Sequence, residues 1–132
     1  MRRSLTVAVA LGIGACHAGP DTQHFAPAVQ PRGIQVNVEL RGSRIPGELL
    51  EVQDSALLLL RPTGTQVVLV PLREIRSAVF QQRGVLIYHG AFVGGGTAAQ
   101  LRLLSRYPTG LTPGLRSALL AAYGQSEPEV AR

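Results

Sequence analysis

From Ile34 to Leu40 apolar and polar residues alternate without a break. Ile34, Val36, Val38 and Leu40 fall on one side, and Gln35, Asn37 and Glu39 on the other. A period of two is that of a strand with one buried face. Arg41-Gly42-Ser43-Arg44 reads as a turn and Ile45–Val52 as a second strand. Gly47 inside that strand predicts a bulge or a sharp bend. Gln53-Asp54-Ser55 turns the chain again; Asp54 is read as a turn residue whose carboxylate caps nearby amides. Ala56–Leu60 is a more apolar third strand, Pro62–Thr65 a further turn, and Gln66–Val70 a fourth strand stopped by Pro71. Leu72–Ile75 fits one helical turn, Ser77–Phe80 a short fifth strand and Val85–Tyr88 a sixth. Short strands at close, even spacing predict a small barrel, since closure removes the edges that recruit other chains.

The pattern changes beyond Tyr88. Gly84–Leu101 holds eighteen uncharged residues, but its five glycines, His89, Thr97 and Gln100 disfavour insertion as a membrane span. It reads instead as the sixth strand, a flexible loop through Gly94-Gly95-Gly96, and a helix. Thr97-Ala98-Ala99-Gln100 matches a capping box, Thr97 bonding forward and Gln100 reaching back. The helix it predicts, Thr97–Arg106, ends before Tyr107-Pro108. Thr112 as cap with Pro113 behind it opens a second helix, Thr112–Tyr123, which Gly124 stops. Leu115, Leu119 and Tyr123 recur along it, with Leu120 beside them. The fold class is therefore mainly β: a small five- to six-stranded barrel followed by two short C-terminal α-helices. The helices are expected to pair as a hairpin on an open end or face of the barrel, and Gln125–Arg132 to fray.

The amino terminus has a different composition. Met1-Arg2-Arg3 is followed by eleven uncharged, mostly apolar residues, Leu5–Ala15. A membrane-spanning helix needs roughly 20, whereas a charged start, a short apolar run and small residues at its end make a secretory signal. Ile13-Gly14-Ala15-Cys16 resembles the lipobox of bacterial lipoproteins. The resemblance implies lipid on the Cys16 sulfur, cleavage before it, and acylation of the new amino terminus. It implies an extracytoplasmic, membrane-anchored protein, and His17 after the cysteine favours the outer membrane over the inner. Each buried methylene contributes about 0.8 kcal/mol, so several chains on one cysteine hold firmly. The other reading is an ordinary signal cut near Ala15 or Ala18, with Cys16 incidental. His17–Gly33, broken by Pro20, Pro27 and Pro31, reads as an extended tether, and its His17 and His24 as solvated linker residues. The organisation expected is a signal over 1–15, a tether over 16–33, a barrel over 34–90, a glycine-rich loop and helical hairpin over 91–124, and a disordered tail over 125–132.

Residues 34–80 also resemble the Sm-like and SH3-like small barrels, in the bent strand with Gly47, the turn at Asp54 and the strand running into Val70-Pro71-Leu72-Arg73-Glu74-Ile75. The resemblance implies the shape and not the RNA site. Leu57–Leu60 stand where an RNA-contacting asparagine would, and Arg73 and Arg76 are followed by Glu74 and Ser77 rather than glycine.

The 132 residues contain no lysine, 13 arginines, 8 acids and one cysteine. That excludes a Walker-type phosphate loop, a Schiff-base lysine, an intrachain disulfide and a multi-thiolate zinc site. Removal of residues 1–15 takes Arg2 and Arg3 with it, leaving 11 arginines against 8 acids, a balance of +3 spread along the chain. Spread charge points to a solvated surface rather than a nucleic-acid patch. His89-Gly90 before Gly94-Gly95-Gly96 is faintly similar to a glycine-rich oxyanion loop, but no G-x-S-x-G elbow supplies a nucleophile. Glu39, Glu48, Glu51, Asp54 and Glu74 are placed at strand surfaces or turns. No catalytic set, cofactor motif or metal-ligand spacing emerges. The function expected is a lipid-anchored binding or scaffold module of the cell envelope with a protein partner; the sequence identifies no small-molecule substrate. The alternatives are a nucleic-acid-binding Sm-like module and a weak hydrolase using His89.

Overall fold

The computed structural model describes residues 32–63 and 66–132. The signal, Cys16, His17, His24 and most of the tether lie outside them. Eight strands form one sheet: β1 (Gln35–Glu39), β2 (Arg44–Val52), β3 (Ala56–Leu60), β4 (Val67–Pro71), β5 (Ser77–Phe80), β6 (Gly84–Tyr88), β7 (Ala91–Phe92) and β8 (Glu129–Val130). A 3-10 turn, Leu72–Glu74, links β4 to β5; α1 (Thr97–Leu104) and α2 (Pro113–Ala122) precede β8. The strand order is β7-β6-β5-β1-β2-β3-β4-β8, antiparallel throughout except that β8 runs parallel to β4. The expected mainly-β fold with two C-terminal helices is present. The closed barrel is not: the sheet is open, and its count of eight exceeds the five or six expected. Period-two patterning specifies strands and faces, not whether the first and last strands meet.

The alternation read over 34–40 sets the main cluster. Val36 and Val38 of β1, Leu57 and Leu59 of β3, Val68 and Val70 of β4, and Ala78 and Phe80 of β5 all point into it. Ile87 of β6, Leu101 of α1 and Ala131 after β8 close it. In β2, Leu49 and Val52 join the same cluster although they are an odd number of residues apart. A bulge between Leu49 and Glu51 supplies the extra residue and turns Leu50 to the opposite face. Gly47 does not mark this bulge. It sits where a Cβ would come within 2.8 Å of the Leu60 carbonyl oxygen, so it permits close approach of β3.

The opposite face of β2, β3 and β4 holds a second cluster of Leu50, Leu58, Leu60 and Val67 under Leu119 and Leu120 of α2. That is why β3 is buried on both faces. The helices therefore do not form the expected hairpin: Leu101 of α1 serves one cluster, and Leu119 and Leu120 of α2 the other. The capping box at Thr97 is also not made. Gly96, in the left-handed conformation at φ 81°, is the cap, and Thr97 is already helical, its hydroxyl donating to the Val93 carbonyl. Thr112 does cap α2, accepting from the Leu115 amide at 3.3 Å, with Pro113 behind it.

The end of the chain is ordered rather than frayed. Gln125 imitates a strand residue at the edge of β4: its Oε1 accepts from the Val67 amide at 2.7 Å, and its Nε2 donates to the Val67 carbonyl at 3.0 Å. β8 continues this pairing, Gln66 donates to the Glu129 carboxylate, and Ala131 is buried. Gln125→Ala leaves the Val67 amide, on a fully buried residue, without its partner. The expected cost is about 1–3 kcal/mol. Hydrogen exchange should accelerate at Val67 and Ala131 while the β1 amides stay protected; uniform acceleration would show that β8 is no separate unit.

Candidate functional site

The bulge in β2 frees two carbonyls, and the segment between the helices takes them. The Arg106 amide donates to the Leu49 carbonyl at 3.0 Å and the Tyr107 amide to the Leu50 carbonyl at 2.9 Å. Glu48, beside the bulge, is buried, not at the strand surface where the sequence placed it. Its carboxylate accepts from Arg106 Nε at 2.8 Å, from Arg106 Nη2 at 2.5 Å and from the Gly33 amide at 2.7 Å. This planar, two-pronged pairing is the geometry that a guanidinium and a carboxylate make best. Burial alone would lower the Arg106 pKa, but the hydrogen bonds and charge of Glu48 outweigh it and raise the value above the ordinary guanidinium range. The Tyr107 hydroxyl adds a smaller push in the same direction, although it lies outside hydrogen-bond geometry. A raised cation pKa is stability that is present at every pH below the ordinary value and lost only above it.

Glu51 completes the clamp, accepting from the Leu111 amide at 2.9 Å and from Gln53 Nε2 at 3.0 Å. Gly33 is buried and bonded here, so the folded domain begins inside what the sequence presents as tether.

Between α2 and this clamp lies a cleft of about 730 Å³. Leu115, Ala118, Leu119, Ala122 and Tyr123, spaced as one face of a helix, line one wall with Leu60 below them. Arg32, Gln35, Arg61, Tyr107 and the Glu48–Arg106 pair line the other. Two polar atoms here, Arg61 Nε and the Tyr107 hydroxyl, are buried with no hydrogen-bond partner among the described residues. Buried polar groups are almost always satisfied, so two such atoms in residues that border one cleft mark it out.

The other residues singled out by sequence do not converge. His89 is exposed in the turn between β6 and β7 at φ 47°, its ring edge-on to Tyr88 at 4.1 Å between centroids. Asp54 is in the turn as expected, but its carboxylate meets Arg102 at 3.1 Å, fully exposed, rather than backbone amides. Glu74 pairs with Arg73 at 3.3 Å and Glu39 accepts from the Ser77 hydroxyl at 3.4 Å. Among the described residues no group of His, Cys, Asp or Glu side chains could hold a metal ion, and no helix is long and apolar enough to cross a membrane. The cleft arginines were not among the sequence candidates. The available signal was the α2 face, whose apolar repeat extends to Leu115 and Tyr123, beyond the two leucines that α2 buries. Compared with protein-family models, curated proteins and solved structures, the chain gives no match.

Proposed function

We propose that the chain is a lipid-anchored protein of the cell envelope whose folded domain is a binding module, with the cleft beneath α2 as its site. The observation that carries the binding half is the mostly apolar cleft itself, with the face of α2 on one wall and Arg32 and Arg61 on the other. Concave, mostly apolar sites with a few convergent polar groups are where ligands bind. The anchoring half rests on Ile13-Gly14-Ala15-Cys16 and the charged, apolar segment before it. The strands around the main cluster are read as an opened-out relative of the SH3-like and Sm-like small barrels, and the role proposed is binding or scaffolding without catalysis. On that reading the segment between Cys16 and the folded domain would link the cleft to the membrane surface.

The test is the intact mass of the protein extracted from membranes of a bacterial host, beside a Cys16→Ser variant. The expected mass is that of residues 16–132 plus acyl chains, with both the lipid and membrane fractionation lost in the variant. An unlipidated chain beginning near Gly19, or an uncleaved one, overturns the anchor.

A further inference from the structure

The chemistry of the cleft narrows its ligand. Three arginines and one carboxylate line it: Arg32, Arg61 and Arg106 against Glu48. Glu48 and Arg106 neutralise each other in a two-pronged pair. The remaining charge is that of Arg32 and Arg61, so the cleft is cationic at its polar wall. The guanidinium of Arg61 carries only donors, and the hydroxyl of Tyr107, which borders the same wall, has a donor proton. The ligand group that meets them must accept hydrogen bonds, and beside two arginines it is best negatively charged. The residues of the facing wall, Leu115, Ala118, Leu119, Ala122 and Tyr123, carry no charge. A small free anion would leave that wall wet and gain nothing from it, whereas an alkyl chain would cover it.

We infer that the cleft binds an anionic amphiphile, a single aliphatic chain ending in a carboxylate or phosphate, with the head at Arg61 and Tyr107 and the chain along α2. This rests on the binding-module reading and is independent of the anchor. Arg61 enters the cleft from the end of β3, where its amide donates to the Gln66 carbonyl at 3.0 Å, so the backbone that carries it is held. Tyr107 is held by its amide bond to Leu50. The backbone beneath both head residues is thus fixed in advance, which lowers the ordering cost of binding there.

Octanoate and octyl phosphate separate the two head chemistries, a free fatty acid or a phospholipid-like ester. Octanol, octyltrimethylammonium and inorganic phosphate separate charge from chain. Each is titrated calorimetrically into the full chain in a non-ionic detergent. Octanoate or octyl phosphate should bind at least tenfold more tightly than octanol, with octyltrimethylammonium and inorganic phosphate weaker still. Arg61→Gln, which keeps the stem and removes the charge, should weaken the anion by roughly ten- to a hundredfold and leave octanol unchanged. Tyr107→Phe, which keeps the ring and removes only the hydroxyl, should weaken the anion several-fold in a protein that still folds. Octanol or the cation binding as well as octanoate overturns the anionic class and leaves the binding module standing. No binding by any chain-bearing probe overturns both. Anion binding indifferent to Arg61→Gln and Tyr107→Phe, in folded variants, overturns the site.

Discussion

Arg106→Ala is expected to destabilise the domain by roughly 3–5 kcal/mol, the range for removing one member of a buried ion pair. The reason is what stays behind. The Glu48 side chain is 9 % exposed and that of Arg106 15 %, so the carboxylate keeps its burial and loses the cation. The Gly33 amide becomes its remaining support. Against a total stability on the order of 5–15 kcal/mol, such a loss leaves a large unfolded population at growth temperature. The pair itself is not expected to be worth that much. A Glu48→Leu, Arg106→Met double variant, which removes both charges and keeps the volume, should recover most of the loss. Urea unfolding followed by far-UV circular dichroism measures all four corners of the cycle. A single-variant loss below about 1 kcal/mol would put the pair with exposed salt bridges, and the clamp would then depend on the backbone bonds to Leu49 and Leu50.

What the sequence made legible was local. The alternation over 34–40 gives β1 its buried Val36 and Val38 and its exposed Gln35, Asn37 and Glu39. Thr112-Pro113 gives the start of α2, because a cap and a proline act within one turn. What escaped depends on residues far apart. Glu48 resembles any carboxylate in an alternating strand; it is buried because its partner, Arg106, arrives 58 residues later. The bulge after Leu49 has no glycine of its own, and it is tolerated because Arg106 and Tyr107 take the carbonyls there. β8 has only two residues and no hydrophobic pattern, and Gln125, a polar side chain in a supposed tail, docks it. At Thr97 a local motif was present and lost: Gly94 and Gly96, both left-handed, bring the Val93 carbonyl round to the hydroxyl, which donates instead of capping. The cleft joins residues of β1, β2 and β3 to one face along α2, so no window of sequence contains it.

Gly33→Ala should be nearly as damaging as the loss of Arg106, although it adds only a methyl group. A Cβ at Gly33 would lie 1.9 Å from the Leu49 carbonyl oxygen and 2.9 Å from the Arg106 amide nitrogen. Those atoms are the acceptor and donor of one hydrogen bond, and both belong to backbone, which no rotamer change can move aside. Either residue 33 moves off, losing its amide bond to Glu48, or the 105–107 segment lifts from β2, losing the bonds to Leu49 and Leu50. Both routes loosen the Glu48–Arg106 pair and widen the cleft that the pair borders. Overpacking of this kind costs about 1–3 kcal/mol, occasionally more, and the broken hydrogen bonds place it at the upper end, about 3 kcal/mol. The two routes separate by hydrogen exchange in the folded variant. Faster exchange at Arg106 and Tyr107, with Ile34 protected, identifies lifting of the segment; the reverse identifies displacement of residue 33. In the first case octanoate affinity should fall with the segment that carries Tyr107, and in the second it should hold. A variant as stable as the parent would mean that Leu49 and Arg106 are not held together at this point.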